Sequence, residues 1–157
     1  IGESMLGESN ELVNKVREYA LSYDDSFMTI SAKFEQELSS LTFEERMELL
    51  KEYNVERSGL ENLSKKSFEL LGLQTFYTTG EKESRSWTIY TNQLAPQAAG
   101  VIHSDFEKGF IRANVVSYSD FVNNNGWKLA KEKGLVRQEG KEYIMQPEDI
   151  VEFLFNV

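Results

Sequence analysis

Leu70-Leu71-Gly72-Leu73-Gln74-Thr75-Phe76-Tyr77-Thr78-Thr79 is the stretch at which the periodicity of this chain changes. Before it, apolar residues recur at helical spacing. After it, apolar and polar residues alternate, the pattern of a strand with one buried face. Gly72 suits a helix C-terminus, because glycine enters left-handed backbone without a Cβ penalty. A domain boundary is therefore expected here, with residues 1–72 on one side and 73–157 on the other.

Downstream, strands are predicted at 75–79, 86–90 and 110–118, two more flank Glu139-Gly140, and a last covers 150–157. In 110–118, Ile111, Ala113 and Val115 would share one face, and Arg112 and Asn114 the other. In the last strand Val151, Phe153, Phe155 and Val157 alternate toward a core, to which Trp87 is also assigned. A short helix is expected at 96–101, with Pro96 in its first turn, and a basic helix at 128–133, closed by Gly134. About five strands crossed by one or two helices make an α+β sheet covered on one side. The 85 residues are enough to fold alone.

Upstream, Leu12, Val13, Val16, Tyr19, Ala20 and Tyr23 predict a helix over 10–23, with Ser9 as cap and Glu11 in the electropositive first turn. Phe27-Met28-Thr29-Ile30 reads as a short buried strand, and helix followed by strand suggests the tail of an α/β domain. Phe34, Leu38 and Leu41 mark another amphipathic stretch. Two capping boxes, Thr42 with Glu45 and Ser58 with Glu61, predict helices over 43–53 and 59–71.

Apolar residues make up 40% of the chain and charged residues 27%, too apolar a mixture for disorder. No apolar run approaches the roughly 18 residues that span a bilayer, so no membrane role is expected. Without cysteine there is no disulfide framework, Cys-type zinc site or thiol nucleophile, and the cytoplasm is the expected compartment. The net charge of −9 divides unevenly: 1–72 carry 8 basic and 15 acidic side chains, a net −7, while 73–157 carry 9 and 11, a net −2. An anionic partner would prefer the second part, and only through a local basic patch.

Leu73-Gln74-Thr75-Phe76-Tyr77-Thr78-Thr79-Gly80, Arg85-Ser86-Trp87-Thr88, Ala95-Pro96-Gln97-Ala98-Ala99-Gly100, Ile102-His103-Ser104-Asp105-Phe106-Glu107-Lys108-Gly109-Phe110-Ile111-Arg112-Ala113, Glu139-Gly140-Lys141 and Phe155-Asn156-Val157 occur in this order. Together they closely resemble the C-terminal half of the YchF, or Obg-like, P-loop ATPases and GTPases. The resemblance covers nearly the whole chain. It implies a ubiquitin-like β-grasp, the TGS domain, over 73–157, preceded by the helical C-terminal end of an α/β P-loop nucleotide-binding domain in 1–72. It also implies ribosome association, and ATP or GTP with Mg2+ as ligands of the parent protein.

The chain opens on Ile1 and reads from there as the middle of a domain, so a fragment is expected, with the upstream P-loop half of the same protein as its partner. Ile1-Gly2-Glu3 looks like the end of the family's Asn-x-x-Glu base-reading motif, which replaces the Asn-Lys-x-Asp of most relatives. An Asp there would accept from the N1–H and 2-amino groups of guanine. Glu3 is compatible with the family's preference for ATP. Ser31-Ala32-Lys33 resembles the loop that closes over the base, so the resemblance assigns Glu3, Ser31 and Ala32 to base binding.

The pattern G-x-x-x-x-G-K-[ST] occurs nowhere in the chain, which leaves no Lys or Ser/Thr for the β- and γ-phosphates and magnesium. The chain alone is expected to hydrolyse no nucleotide and to carry no cofactor. Near its end, a turn the family usually writes Asp-Gly-Asp is Pro147-Glu148-Asp149, for which a type I turn with Pro147 second is expected.

His103, Asp105 and Glu107 could share a face as a metal or acid–base cluster. One His in a loop favours structural roles instead, with His103 bonding backbone and Asp105 fixing the turn. No catalytic residue or metal ligand is assigned. Lys108, Arg112, Lys128, Lys131, Lys133, Arg137 and Lys141, with Phe110 or Tyr143 among them, could line a surface for RNA phosphates and bases. Interspersed Glu107, Glu132, Glu139 and Glu142 argue for an ordinary solvated face. Lys108, Arg112, Arg137 and Lys141 are the named candidates for an RNA or ribosome contact. Two functions stay open: base recognition and regulation within an NTPase, or a nucleotide-independent module that binds protein or RNA.

Overall fold

The computed structural model describes every residue except 7–9, 81 and 157. Its chain divides into two compact units, Ile1–Leu70 and Leu71–Val157.

Among its described residues the first unit holds a 3-10 turn at Glu3–Met5 and four helices: α1 (Glu11–Ser22), α2 (Ala32–Ser39), α3 (Phe43–Glu52) and α4 (Gly59–Leu70). Ser9 lies outside the described residues; the side chain that caps α1 is Asn10, which accepts from the amides of Leu12 and Val13. Thr42 and Glu45 form the full capping box at α3, each accepting the other's amide hydrogen. At α4 only half of the expected box forms. Ser58 Oγ accepts from the Glu61 amide, and Glu35, from α2, receives the amides of Gly59 and Leu60 at 2.6 and 3.3 Å. A long-range carboxylate thus meets the free donors and the positive end of α4.

Residues 27–30 pair with no described strand, which corrects the strand expected there. An apolar run supplies the propensity, but a strand also needs a neighbour to complete its ladder. The unit's core is small, built on Phe34, Leu38 and Leu50 with Leu6, Leu49, Tyr53 and Val55 around them. Neither α1 nor α4 buries a residue, and Leu12, Val16 and Tyr19 lie exposed along α1.

The second unit is a five-stranded sheet in the order β2-β1-β5-β3-β4, formed by β1 (Leu73–Thr79), β2 (Ser84–Tyr90), β3 (Phe110–Ser117), β4 (Arg137–Glu139) and β5 (Asp149–Phe155). The hairpin β1–β2 is antiparallel, β1 and β5 are parallel, and β3 is antiparallel to both β4 and β5. Gly72, at φ 63, ends α4 and turns the chain into β1. The class is α+β, as expected.

On one face of the sheet, α5 (Ala95–Ile102) and α6 (Ser104–Lys108) cover Phe76, Ile89, Phe110, Ala113, Val115, Met145 and Val151. Ala95, Ala98 and Ala99 are fully buried; their small side chains let α5 approach the sheet closely. The opposite face is covered in part as well, correcting the one-sided packing expected from the sequence. Val116 and Ile150 pack with Ala130 of α8 (Trp127–Glu132) and with Phe121 of α7 (Tyr118–Asn123). The signal for α7 was Ser117-x-x-Asp120: Ser117 Oγ accepts from the Asp120 amide, so β3 stops before Tyr118.

Three further expectations fail locally. A bulge shifts the register between Phe110 and Arg112, so Phe110 joins the core with Ala113 and Val115 while Ile111 is exposed. After Glu139-Gly140 no second strand forms; Tyr143 to Met145 bond the loop before α5 instead, the Ala95 amide donating to Tyr143 and the Met145 amide to Gln93. Phe155, assigned to the core, is exposed and stacks on Phe106 with ring centroids 3.8 Å apart. Phe153 and Trp87 do pack against the core, partly buried, and Val157 lies outside the described residues.

Candidate functional sites

The residues assigned to the base fall in the first unit. Gly2 and Ile1 lead into the 3-10 turn that carries Glu3, and the Ile1 nitrogen donates to the Ile30 carbonyl at 2.8 Å, bringing that turn beside the Ser31 loop. Ser31 is buried and caps α2, its Oγ accepting from the Phe34 amide at 3.5 Å. Ala32 is the exposed first residue of α2. Lys33 closes the arrangement, its Nζ donating to Glu3 Oε2 at 2.8 Å. This contact, a hydrogen bond and an opposite charge together, pushes the Lys33 pKa above the ordinary lysine value.

Glu3 is the chemically informative member. While Oε2 takes the lysine, its other oxygen, Oε1, is buried and has no hydrogen-bond partner among the described residues. A buried carboxylate oxygen without a donor is costly, so it is set to accept a hydrogen from a group that enters the site. The sequence has no phosphate-binding loop pattern, and among the described residues no group of three or more His, Asp or Glu could hold a metal ion.

The basic candidates lie in the second unit and are not gathered in one place. Directly opposed residues share a sheet face, so the pairs Asn114 with Gln138 and Val115 with Arg137 put Gln138 and Arg137 on opposite faces. Arg112, two residues from Asn114, bonds Gln138 at 3.4 Å and belongs to the face away from Arg137. Lys108 ends α6, and Lys141 is exposed in the turn after β4. Lys131, on α8, reaches Glu152 at 3.7 Å on the Arg112 face, a neighbourhood visible only once α8 is placed over the sheet.

Arg137 is committed within the fold. Its guanidinium donates to the Tyr143 hydroxyl at 3.0 Å, pairs with Glu139 at 3.2 Å and with Asp149 at 3.8 Å, and lies over the Tyr143 ring. Tyr143 in turn donates to Asp149 at 2.8 Å, and the Gln146 amide donates to the same carboxylate. Burial pushes the Asp149 pKa up, opposed by these hydrogen bonds and by Arg137, while burial and the Asp149 bond push Tyr143 up.

His103 has the structural role expected of it: Nδ1 accepts from the Asp105 amide at 3.2 Å and so caps α6. Glu107 lies under Gly100, where any Cβ would strike its carboxylate. The Pro147 turn differs from expectation. Glu148, its third residue, takes left-handed backbone at φ 63, as type II turns require, with the Asp149 amide donating to Gln146.

A mixed α+β unit of this sheet order, preceded in sequence by a helical unit, defines the class, and similarity defines the family. The family model YchF-GTPase_C, described as a protein of unknown function (DUF933), matches residues 73–156, and the chain belongs to this family. It is 48% identical over 148 residues to the ribosome-binding ATPase YchF of Bacillus subtilis (strain 168), covering 94% of this chain and 40% of that protein. To the ribosome-binding ATPase YchF of Escherichia coli O157:H7 it is 45% identical over 150 residues, covering 96% and 41%. Among solved structures, the Schizosaccharomyces pombe YchF GTPase superposes with a TM-score of 0.80 at 34% identity, over 98% of this chain and 41% of that one. The chain thus spans about two-fifths of the length of the relatives it matches.

Proposed function

We propose that this chain works as the C-terminal part of a ribosome-associated, YchF-type ATPase or GTPase. Residues 1–72 complete the nucleotide-binding domain and read the base, and residues 73–157 form a TGS domain of the β-grasp type. The observation that carries base reading is Glu3 Oε1, buried beside the Ser31 loop with no hydrogen-bond partner among the described residues. It accepts a hydrogen from an exocyclic amine, which adenine offers at its 6-position, while Ser31 and Ala32 border the base. The nucleotide supplies the phosphates and Mg2+; their cradle belongs to the P-loop half. The order β2-β1-β5-β3-β4, with the central strand β5 parallel to β1, supports the β-grasp reading.

The relatives' names, ribosome-binding ATPases, support the ribosome as partner and the cytoplasm as the place of action. The uncovered apolar stripe of α1 supports the upstream P-loop half as the intramolecular partner, because an amphipathic helix is stable when that stripe is covered. Lys108, Arg112 and Lys141 remain available to ribosomal RNA, whereas Arg137 acts on the fold. No helix among the described residues is long and apolar enough to cross a membrane.

The test joins this chain to the P-loop half of the B. subtilis relative and compares Glu3→Ala with the parent sequence. Base reading predicts weaker ATP binding in the variant with binding of inorganic triphosphate unchanged. Equal ATP affinity in the two proteins overturns the role of Glu3.

A further inference from the structure

We propose that the cleft beside the turn of the β1–β2 hairpin binds an extended acidic peptide segment that adds to β5 as a strand. The parallel strands β1 and β5 pair at Tyr77 and Ile150. Beyond that point β1 runs only to Thr79, whereas β5 continues to Phe155. The last residues of β5 therefore have β3 on one side and no described strand on the other. Their outward backbone donors and acceptors alternate along a line, and the group that matches such a line is another extended backbone.

The space beside this edge is a cleft of about 480 Å³, between the hairpin on one side and α5 and α6 on the other. Its floor is preformed. Trp87 is fixed by the hydrogen bond from its indole nitrogen to Thr78 Oγ1 at 2.9 Å, and Phe106 by its stack on Phe155. An added strand would turn every second side chain onto these rings, so it should be apolar at those positions.

Charge selects the other positions. Of the charged residues lining the cleft, Arg85 pairs with Glu83 at 3.1 Å, and Glu152 accepts from Asn114 at 2.8 Å and meets Lys131. Lys82 has no ion-pair partner among the described residues. One cation with no ion-pair partner among the described residues, beside a strand edge, favours a peptide with a carboxylate over a polyanion, whose binding draws on many cations together. This inference reaches beyond nucleotide and ribosome binding and depends on neither.

The experiment uses the full chain and an acetylated heptapeptide of alternating valine and aspartate, with a second peptide N-methylated at alternate amides so that it has the same side chains but no ladder donors. Amide hydrogen exchange is followed residue by residue. The unmethylated peptide should slow exchange at residues 153–155 by roughly tenfold at saturation, and the methylated one should not. Lys82→Glu, at an exposed position, should weaken binding roughly tenfold. No protection at millimolar peptide, equal protection by both peptides, or protection confined to β2 at the outer edge of the sheet would each overturn the proposal. Displacement of the peptide by polyuridylate, with binding of that polymer abolished in Lys82→Glu, would overturn it in favour of a nucleic-acid site.

Discussion

The Arg137 guanidinium reaches from β4 to the buried carboxylate of Asp149 at the head of β5, 3.8 Å away, and Tyr143 bridges the two by accepting from the arginine and donating to the aspartate. The segment between β4 and β5, which makes no strand of its own, is closed by these three side chains.

Arg137→Ala should therefore destabilise the second unit, because Asp149 stays buried while its cation is removed. The pair is half exposed on the arginine side, so the cost should be about 1–2 kcal/mol, below that of a fully buried pair. Urea unfolding of the chain measures it. A loss of ribosome or RNA affinity with unchanged stability would instead return Arg137 to the binding surface.

The raised pKa of Asp149 has a definite sign. The folded state holds the proton more tightly than the unfolded chain, so the contribution of Asp149 to stability falls as pH rises from the ordinary carboxylate range through its raised value. Asp149→Asn should remove that downward contribution, giving a difference in unfolding free energy from the parent that changes across this window and levels off above it. A difference constant with pH would show that Asp149 does not titrate in this way.

Glu148 supplies the left-handed residue of its turn without being glycine, at φ 63. Glu148→Gly should relieve that conformation and raise stability by about 0.5–1 kcal/mol, the strain relief exceeding glycine's greater entropy in the unfolded chain. Glu148→Val, branched at Cβ, should move the melting temperature the other way.

Gly109 is required by proximity. A Cβ there would run into the backbone carbonyl of Asn156, whose amide donates to the Gly109 carbonyl at 2.9 Å. Backbone yields less readily than a flexible side chain, so Gly109→Ala should cost about 1–3 kcal/mol. The same change at Gly140, where a Cβ meets nothing within 4 Å, should be nearly silent in the same melting assay.

If RNA phosphates are bound, Lys108, Arg112 and Lys141 bind them. Changing each to Ala should make the salt dependence of ribosome binding shallower, by up to about one unit of log–log slope for each phosphate no longer neutralised. An unchanged affinity and slope in the triple variant would leave a protein surface of the ribosome as the partner.

The class of the second unit was legible because its determinants are local: the change of period at Gly72, the alternation in 75–79 and 86–90, and Pro96 opening a helix all operate within a few residues. The Thr42–Glu45 box was legible for the same reason, since donor and acceptor stand three residues apart. The corner around Glu3 and Ser31 was named through family resemblance, and its geometry added the Lys33 pairing and an acceptor without a donor among the described residues.

What tertiary structure decided depends on partners distant in sequence. Residues 27–30 have the composition of a strand but no ladder among the described residues, and Glu35 accepts the Gly59 amide at the head of α4 from 24 residues away. The bulge at Ile111 moves the buried face by one residue, which no alternation count reveals because the extra residue exists only relative to β5. Arg112 and Arg137 read alike as basic residues, yet pairing β3 with β4 sends them to opposite faces and binds one of them to Asp149. Local propensity and period set which segments can be helix or strand. Pairing, burial and the satisfaction of each charge set which do so and which side chains remain free to bind a partner.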